Sequence, residues 1–274
     1  MGKRIKRITL ERQSGWYKNH RDSFENPDRI YEPYWRVEDI PSFGVKTKIP
    51  HFKTRHRIVH LLSQNELWMY LQLAHSPLVI EIYEQYAIPL EFSIPIARTL
   101  GVEHPVDAVT RVPLIQTIDF YCEVLDPETG EIKNVAYPVK QDSDALRVRT
   151  AEKLALQEAF CELEHADYQL TTSKLLRTTY SYNLELLYRY RNLPFFLVSL
   201  AQRWLMNFLG LLSDDVHCRT AHLIKRASLA SGIPYLDGVA IFYYLLWHRA
   251  LTMNWSRLLT LELAASELGI RAHD

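Results

Sequence analysis

Thr-Ile-Asp-Phe-Tyr-Cys-Glu-Val (117–124), then Asp-Pro-Glu-Thr-Gly-Glu (126–131), then Asn-Val-Ala-Tyr-Pro-Val-Lys (134–140) is the stretch that decides the fold. In its first part Ile118, Phe120, Cys122 and Val124 fall on one face of an extended chain, and Thr117, Asp119, Tyr121 and Glu123 on the other, the period of a strand with one apolar side. Asp126 to Glu131 is turn chemistry, and the returning run sets Ala136, Pro138 and Lys140 on one face, so the pair reads as a hairpin. A loop at Thr129-Gly130 pairs Glu128 with Glu131 and, in the same register, Asp119 with Lys140. Directly opposed residues share a face, whereas a slip of one residue would separate them.

Working outward, Ser63 with Glu66 three residues on opens the apolar-periodic run Leu67, Tyr70, Leu71, Ala74, which predicts a helix started by a capping box. Leu78 to Tyr86 alternates as a strand, and Leu146 to Glu164 carries Ala151, Leu154, Ala155 and Leu163 along one side of a long amphipathic helix. Tyr168 to Thr171 reads as one more short strand, and the domain boundary is placed near residue 170. Beyond it, Arg219 to Ala230 and Leu236 to Leu251 read as helices joined by the turn Ser-Gly-Ile-Pro (231–234), with a strand at Arg257 to Leu263. Helix, turn, helix, hairpin is the outline of a winged helix-turn-helix. The expected organisation is a basic irregular arm over 1–60, an α/β domain with a central mixed sheet flanked by helices over 61–170, and a mostly helical winged-helix domain over 171–274. Trp16, Tyr31, Tyr34, Trp35 and Phe43 are the aromatics expected to pack the arm down.

Composition sets the frame: 274 residues, 47% hydrophobic and 23% charged, with a formal net charge of zero, describe an ordinary globular chain. The zero hides an asymmetry, because residues 1–60 carry 14 Lys and Arg against 7 Asp and Glu, a local +7 balanced by −7 in the rest. A basic leading segment suits a polyanion partner, and equally a solvated arm. Cys122, Cys161 and Cys218 are scattered, which excludes a disulfide framework or a cysteine zinc site and suits a reducing cytoplasm. The start, Met-Gly-Lys-Arg-Ile-Lys-Arg, lacks the apolar run of a secretory signal. Phe195 to Leu212, interrupted by Gln202, Arg203 and Asn207, reads as a buried helix and not a membrane span.

Glu66, Asp119 and Lys140, in that order, offer two carboxylates for a hard cation and an ammonium beside an attacked phosphate, the needs of metal-assisted phosphodiester hydrolysis. Each also has a plain structural reading: a helix cap for Glu66, a solvated sheet carboxylate for Asp119, an exposed strand-end lysine for Lys140. His217-Cys218 with His222 resembles a fragment of a metal site, but so few and scattered ligands weigh toward a structural role. Arg219, His222, Lys225 and Arg226 form a basic helical side suited to phosphates or simply to water.

Leu-Leu-Ser-Gln-Asn-Glu-Leu (61–67), His-Ser-Pro-Leu-Val-Ile-Glu-Ile-Tyr-Glu-Gln-Tyr (75–86), Gly-Val-Glu-His-Pro (101–105), Thr-Ile-Asp-Phe (117–120), Val-Lys (139–140) and Arg-Thr-Ala-Glu-Lys-Leu (149–154) resemble, in order and spacing, the TnsA family of transposase endonuclease subunits. Ala-Leu-Thr-Met-Asn (250–254) resembles that family's C-terminal domain more loosely. The resemblance implies a restriction-endonuclease-like domain with Glu66, Asp119 and Lys140 as catalytic residues, and a winged-helix C-terminal domain. It implies magnesium, with manganese as a substitute, held by Glu66 and Asp119; with Pro138 in the chain, the shell is completed by the Val139 carbonyl or by a carboxylate from the following helix, for which Glu158 is a candidate. It further implies cleavage of the 5′ strands at transposon ends, beside an RNase H-like transposase, TnsB, and an ATPase regulator, TnsC, in the bacterial cytoplasm at the nucleoid.

Two departures stand out. Where this nuclease fold often has an acid or amide two residues before the lysine, the chain has Pro138, and where the family has a further acid on the following helix it has Gln157, with Glu158 adjacent. A stand-alone restriction or repair nuclease, or a DNA-binding assembly subunit with a degenerate site, are the alternatives.

Overall fold

The computed structural model describes residues 8–40, 44–53 and 57–273, so Phe43 and the first seven residues lie outside it. The chain divides into two units, Met1–Leu176 and Arg177–Asp274.

Unit 1 is built on a four-stranded mixed sheet. Before it come helix α1 (Leu10–Glu25), the antiparallel pair β1 (Thr47–Pro50) and β2 (Ile58–Leu61), and helix α2 (Gln64–His75). Then follow β3 (Val79–Ile88), α3 (Leu90–Thr99), β4 (Gln116–Leu125), β5 (Ile132–Tyr137), β6 (Val139–Lys140), α4 (Asp142–Ala145), α5 (Val148–Leu163), β7 (Asp167–Tyr168), β8 (Thr171–Thr172) and α6 (Ser173–Leu176). The sheet order is β3-β4-β5-β7, antiparallel except for the parallel β5–β7 pair. Ile118, Phe120 and Cys122 are fully buried, as their alternation predicts. Tyr121 on the other face is buried as well, among Leu156, Phe160 and Cys161 of α5, because helices cover that side too.

The hairpin register differs from expectation by two residues. Phe120 pairs with Tyr137 and Leu125 with Ile132, so Pro138, not Lys140, falls opposite Asp119. The cause is the turn. Asp126 Oδ1 accepts the N–H groups of Glu128 and Thr129, Gly130 takes φ +73°, and Asp126 N–H bonds Glu131 O at 2.8 Å. The loop therefore holds Pro127 to Gly130 instead of two residues. A shift of two preserves the face, which is why the two side chains still meet.

The leading arm is not irregular. Thr9 Oγ1 accepts Arg12 N–H and starts α1, whose buried positions are Gln13, His20 and Ser23. These are polar, so no apolar period announces the helix. Gln13 pairs with the backbone at Pro113 O (2.7 Å) and Ile115 N (3.1 Å). His20 donates from Nδ1 to Glu32 O and accepts Ala87 N–H at Nε2. With Tyr31 OH on Glu84 O and Tyr34 N–H on Gln85 O, the arm covers main-chain groups of β3, the sheet's edge strand. Trp16, Tyr31, Tyr34 and Trp35 pack edge-to-face in this layer.

Unit 2 comprises α7 (Thr179–Leu187), a 3₁₀ turn, α8 (Phe195–Asp214), α9 (Thr220–Ser231), α10 (Tyr235–Trp247), β9 (Leu251–Thr252), α11 (Ala265–Leu268) and β10 (Arg271–Ala272), with β9 and β10 antiparallel. The α9 and α10 axes are bent 110° apart across Gly232 at φ +70°. A Cβ at Gly238 would run into Ser228 Oγ and lie 3.1 Å from Trp204 Nε1, so only glycine lets α10 approach α9 here. Helix α8 is long and apolar enough to cross a membrane by length and composition alone. It is not buried all round: Leu197, Ala201, Trp204, Leu205, Phe208 and Leu212 are buried, while Phe195, Phe196, Val198 and Met206 are exposed.

No strand forms at Arg257 to Leu263. Buried Asn183 takes that segment's main chain instead, donating to Arg257 O and accepting Leu259 N–H, and Leu261 O and Leu263 O accept from the first turn of α9. With these groups satisfied locally, the strand that pairs with β9 is supplied by residues 271–272.

Candidate functional site

Asp119, Val139 and Lys140 meet where the β4–β5 ladder ends. After the last paired residue, Tyr137, Pro138 has no N–H, and its carbonyl bonds Thr171 N–H at 2.8 Å on the far side. The next N–H, that of Val139, turns onto Asp119 Oδ2 at 2.7 Å. Lys140 Nζ reaches the same oxygen at 2.6 Å as a diagonal neighbour and also meets Val139 O at 3.0 Å. The ammonium thus marks a point toward which a carboxylate and a carbonyl oxygen converge. Both side chains keep access to water, 13% for Asp119 and 26% for Lys140.

Glu66 enters from the first turn of α2. Ser63 Oγ accepts Glu66 N–H and donates to Glu66 Oε1 (3.0 Å), while Oε2 accepts Leu62 N–H at 2.9 Å. Its local role is therefore a helix cap, as its spacing predicts. Electrostatics adds a second feature. Burial, and then the negative charge of Asp119, push the Glu66 carboxyl up to about 7, against the pull of Leu62 N–H, Ser63 and Lys140. A buried carboxyl whose ionisation is opposed by a neighbouring carboxylate is one that a cation would favour. Among the described residues no three His, Cys, Asp or Glu side chains gather as a metal cluster. The donor set is two carboxylates and a carbonyl, all oxygen, which fits a hard divalent ion that retains several waters.

One residue here escapes a sequence reading. Gln85, which the β3–β4 register sets opposite Asp119, is buried and takes φ +52°. Such a backbone costs a non-glycine residue about 1–3 kcal/mol. Its Nε2 donates to Glu66 Oε2 at 3.4 Å and its Oε1 accepts from Thr117 Oγ1 at 3.1 Å. Thr117 was legible as sharing the face of Asp119; nothing in the alternation of Glu84-Gln85-Tyr86 marks Gln85 except its polarity in a strand. Gln157 donates to Thr117 O at 2.7 Å and buries its Oε1 without a partner. Adjacent Glu158 is exposed on α5. Below Gln85, Glu84 is fully buried and paired with Arg57 at 2.6 Å, with the guanidinium 5.0 Å over the Tyr31 ring.

Residues 76–173 match the family model described as TnsA-like endonuclease N terminal. The chain is 30% identical over 158 residues to Transposon Tn7 transposition protein TnsA of Escherichia coli, a match covering 58% of this chain and 56% of that protein. Over this stretch the chain is TnsA-like. It matches only a little over half the length of the curated relative. Asp119 and Lys140 lie inside the TnsA-like segment and Glu66 ten residues ahead of it.

In unit 2, Arg219, His222, Lys225 and Arg226 are exposed along α9, with Arg219 3.6 Å from Glu262. His217 bonds Ser266 Oγ and is exposed, and Cys218 gives its carbonyl to Ala265 N–H. These are structural contacts of the loop leading into α9.

Proposed function

We propose that this TnsA-like chain is a divalent-metal-dependent DNA endonuclease that cleaves the 5′ strands at transposon ends as one subunit of a heteromeric transposase. The observation that carries the reading is the 2.6 Å Lys140–Asp119 contact beside buried Glu66, in a chain similar over this region to a transposition protein. Glu66, Asp119 and the Val139 carbonyl would hold magnesium, or manganese in its place. When bound, the ion supplies Lewis acidity and a lowered water pKa. Asp119 aligns Lys140 and Val139 through one carboxylate oxygen. Lys140 orients the attacking water and offsets charge that develops on the phosphate. Glu66 adds the second carboxylate from a capped, rigid helix start.

In this reading the partners are transposon-end DNA, an RNase H-like transposase of the TnsB kind and an ATPase of the TnsC kind, in the bacterial cytoplasm. Unit 2 serves as a winged-helix-like module, supported by the sharp α9–α10 crossing and the two-strand pair after it; the basic side of α9 then contacts phosphates. The test is 5′-strand cleavage by Asp119→Ala in the assembled system: cleavage lost with assembly intact supports the reading, and cleavage retained sinks it. Pro138, which brings no side-chain ligand, favours the second reading, a degenerate assembly subunit. Calorimetry with Mn²⁺ separates them, since that subunit binds no metal.

A further inference from the structure

We propose that Gln85 is a positioning residue for Glu66, an inference that rests on the metal-site reading above. Three observations meet at this side chain. Its amide is wedged between Thr117 Oγ1 and Glu66 Oε2. Its backbone stands in the left-handed region at φ +52°, which a non-glycine residue keeps only when its surroundings hold it there. Its carbonyl accepts Tyr34 N–H at 3.2 Å from the leading arm.

The amide orientation follows from chemistry. A carboxylate only accepts hydrogen bonds, so the NH₂ must face Glu66 and the oxygen must face the Thr117 hydroxyl. The consequence falls on the two Glu66 oxygens. Oε2 receives both Leu62 N–H and the Gln85 amide, whereas among the described residues Oε1 meets the Ser63 hydroxyl alone, which can rotate. Gln85 therefore fixes the carboxyl rotamer and leaves Oε1 as the oxygen with lone pairs for a cation. The strained backbone is what brings a β3 side chain under a helix-borne ligand, and the arm's bond to the Gln85 carbonyl helps hold it there. Partners that orient a ligand in this way typically govern metal affinity by 10–100-fold when removed.

Mn²⁺ titration of the full chain by calorimetry tests this. Gln85→Met keeps the bulk and removes the amide, and should bind Mn²⁺ about 10–100-fold more weakly. Gln85→Gly removes the side chain but relaxes the backbone, so it should melt no lower than Gln85→Met while binding Mn²⁺ as weakly. That pairing separates positioning from general stability, and Gln85→Gly decides the matter if Gln85→Met does not fold. Thr117→Val, which frees the amide to turn, should show a smaller loss in the same direction. Wild-type Mn²⁺ affinity in both Gln85 variants overturns the proposal while leaving the metal site standing. No Mn²⁺ uptake by the unaltered chain, with Asp119→Ala indistinguishable from it, overturns the metal site and the role of Gln85 together.

Discussion

The two units spend their interiors differently. Unit 1 buries Arg57, Glu66 and Glu84 together with His20, His51, Gln85 and Gln157, whereas the buried polar residues of unit 2 are Ser181, Asn183, Thr220, Ser228 and Ser231, none of them ionisable. Around these, unit 2 packs Trp204, Phe208, Phe242 and Trp247. Burying an ionisable group is costly unless it is paired. An interior that carries many such groups is held in a particular electrostatic state, which is what a catalytic site requires; one that, among the described residues, buries no Asp, Glu, His, Lys or Arg has mainly to keep its shape.

That contrast can be broken at several points. Asp119→Ala should cut nicking on the order of 100-fold or more, by removing the acceptor that aligns Lys140 and Val139, with little change in the melting of either unit. Arg57→Ala leaves Glu84 in the core without its cation, and should cost unit 1 about 3–5 kcal/mol in urea unfolding while unit 2 keeps its midpoint. Equal losses in both units would contradict the division.

Acid should act on unit 1 next. Burial lowers His20 to about 4, His51 to about 3 and His60 to about 4. Proton uptake then favours the unfolded chain, whose histidines titrate near 6.5. The stability from neutral His20 is whole above about 6.5 and falls by on the order of 3 kcal/mol as the pH drops to 4. Glu66, raised to about 7, works in the opposite sense, so the measurement is the difference between unaltered chain and His20→Gln across that window. In unit 2 the sensitive point is steric: Gly238→Ala should cost about 1–3 kcal/mol through the clash with Ser228, and Ser228→Ala in the same chain should recover part of it. The smallest effect is expected at the surface, where Arg226→Ala should leave folding untouched and lower the salt dependence of DNA binding by about one counterion.

Much of unit 1 was legible because its sheet alternates and α2 announces its own cap. The hairpin was readable but its register was not, since Asp126 organises a loop two residues longer than Thr-Gly alone suggests. Asp119 and Lys140 survived that error because side-chain parity repeats every two residues. Helix α1 was hidden by a buried face of Gln13, His20 and Ser23, whose partners are main-chain groups, distant in sequence for Gln13 and His20 and local for Ser23. The expected strand at 257–263 failed for a related reason, as one buried asparagine does the work of a neighbouring strand. Gln85 could not be read at all, because its importance lies in a backbone angle. Periodicity reports apolar burial; it does not report a polar side chain that replaces backbone.

The arm's hold on β3 has a practical consequence for dissecting the protein. A fragment cut at residue 61 to isolate the sheet-bearing core would lose Tyr31, Tyr34 and His20 and bare the main-chain groups of Glu84, Gln85 and Ala87. An uncovered strand edge recruits other strands, so such a fragment should polymerise edge to edge, and its inactivity would reflect a lost cover and not a lost catalyst.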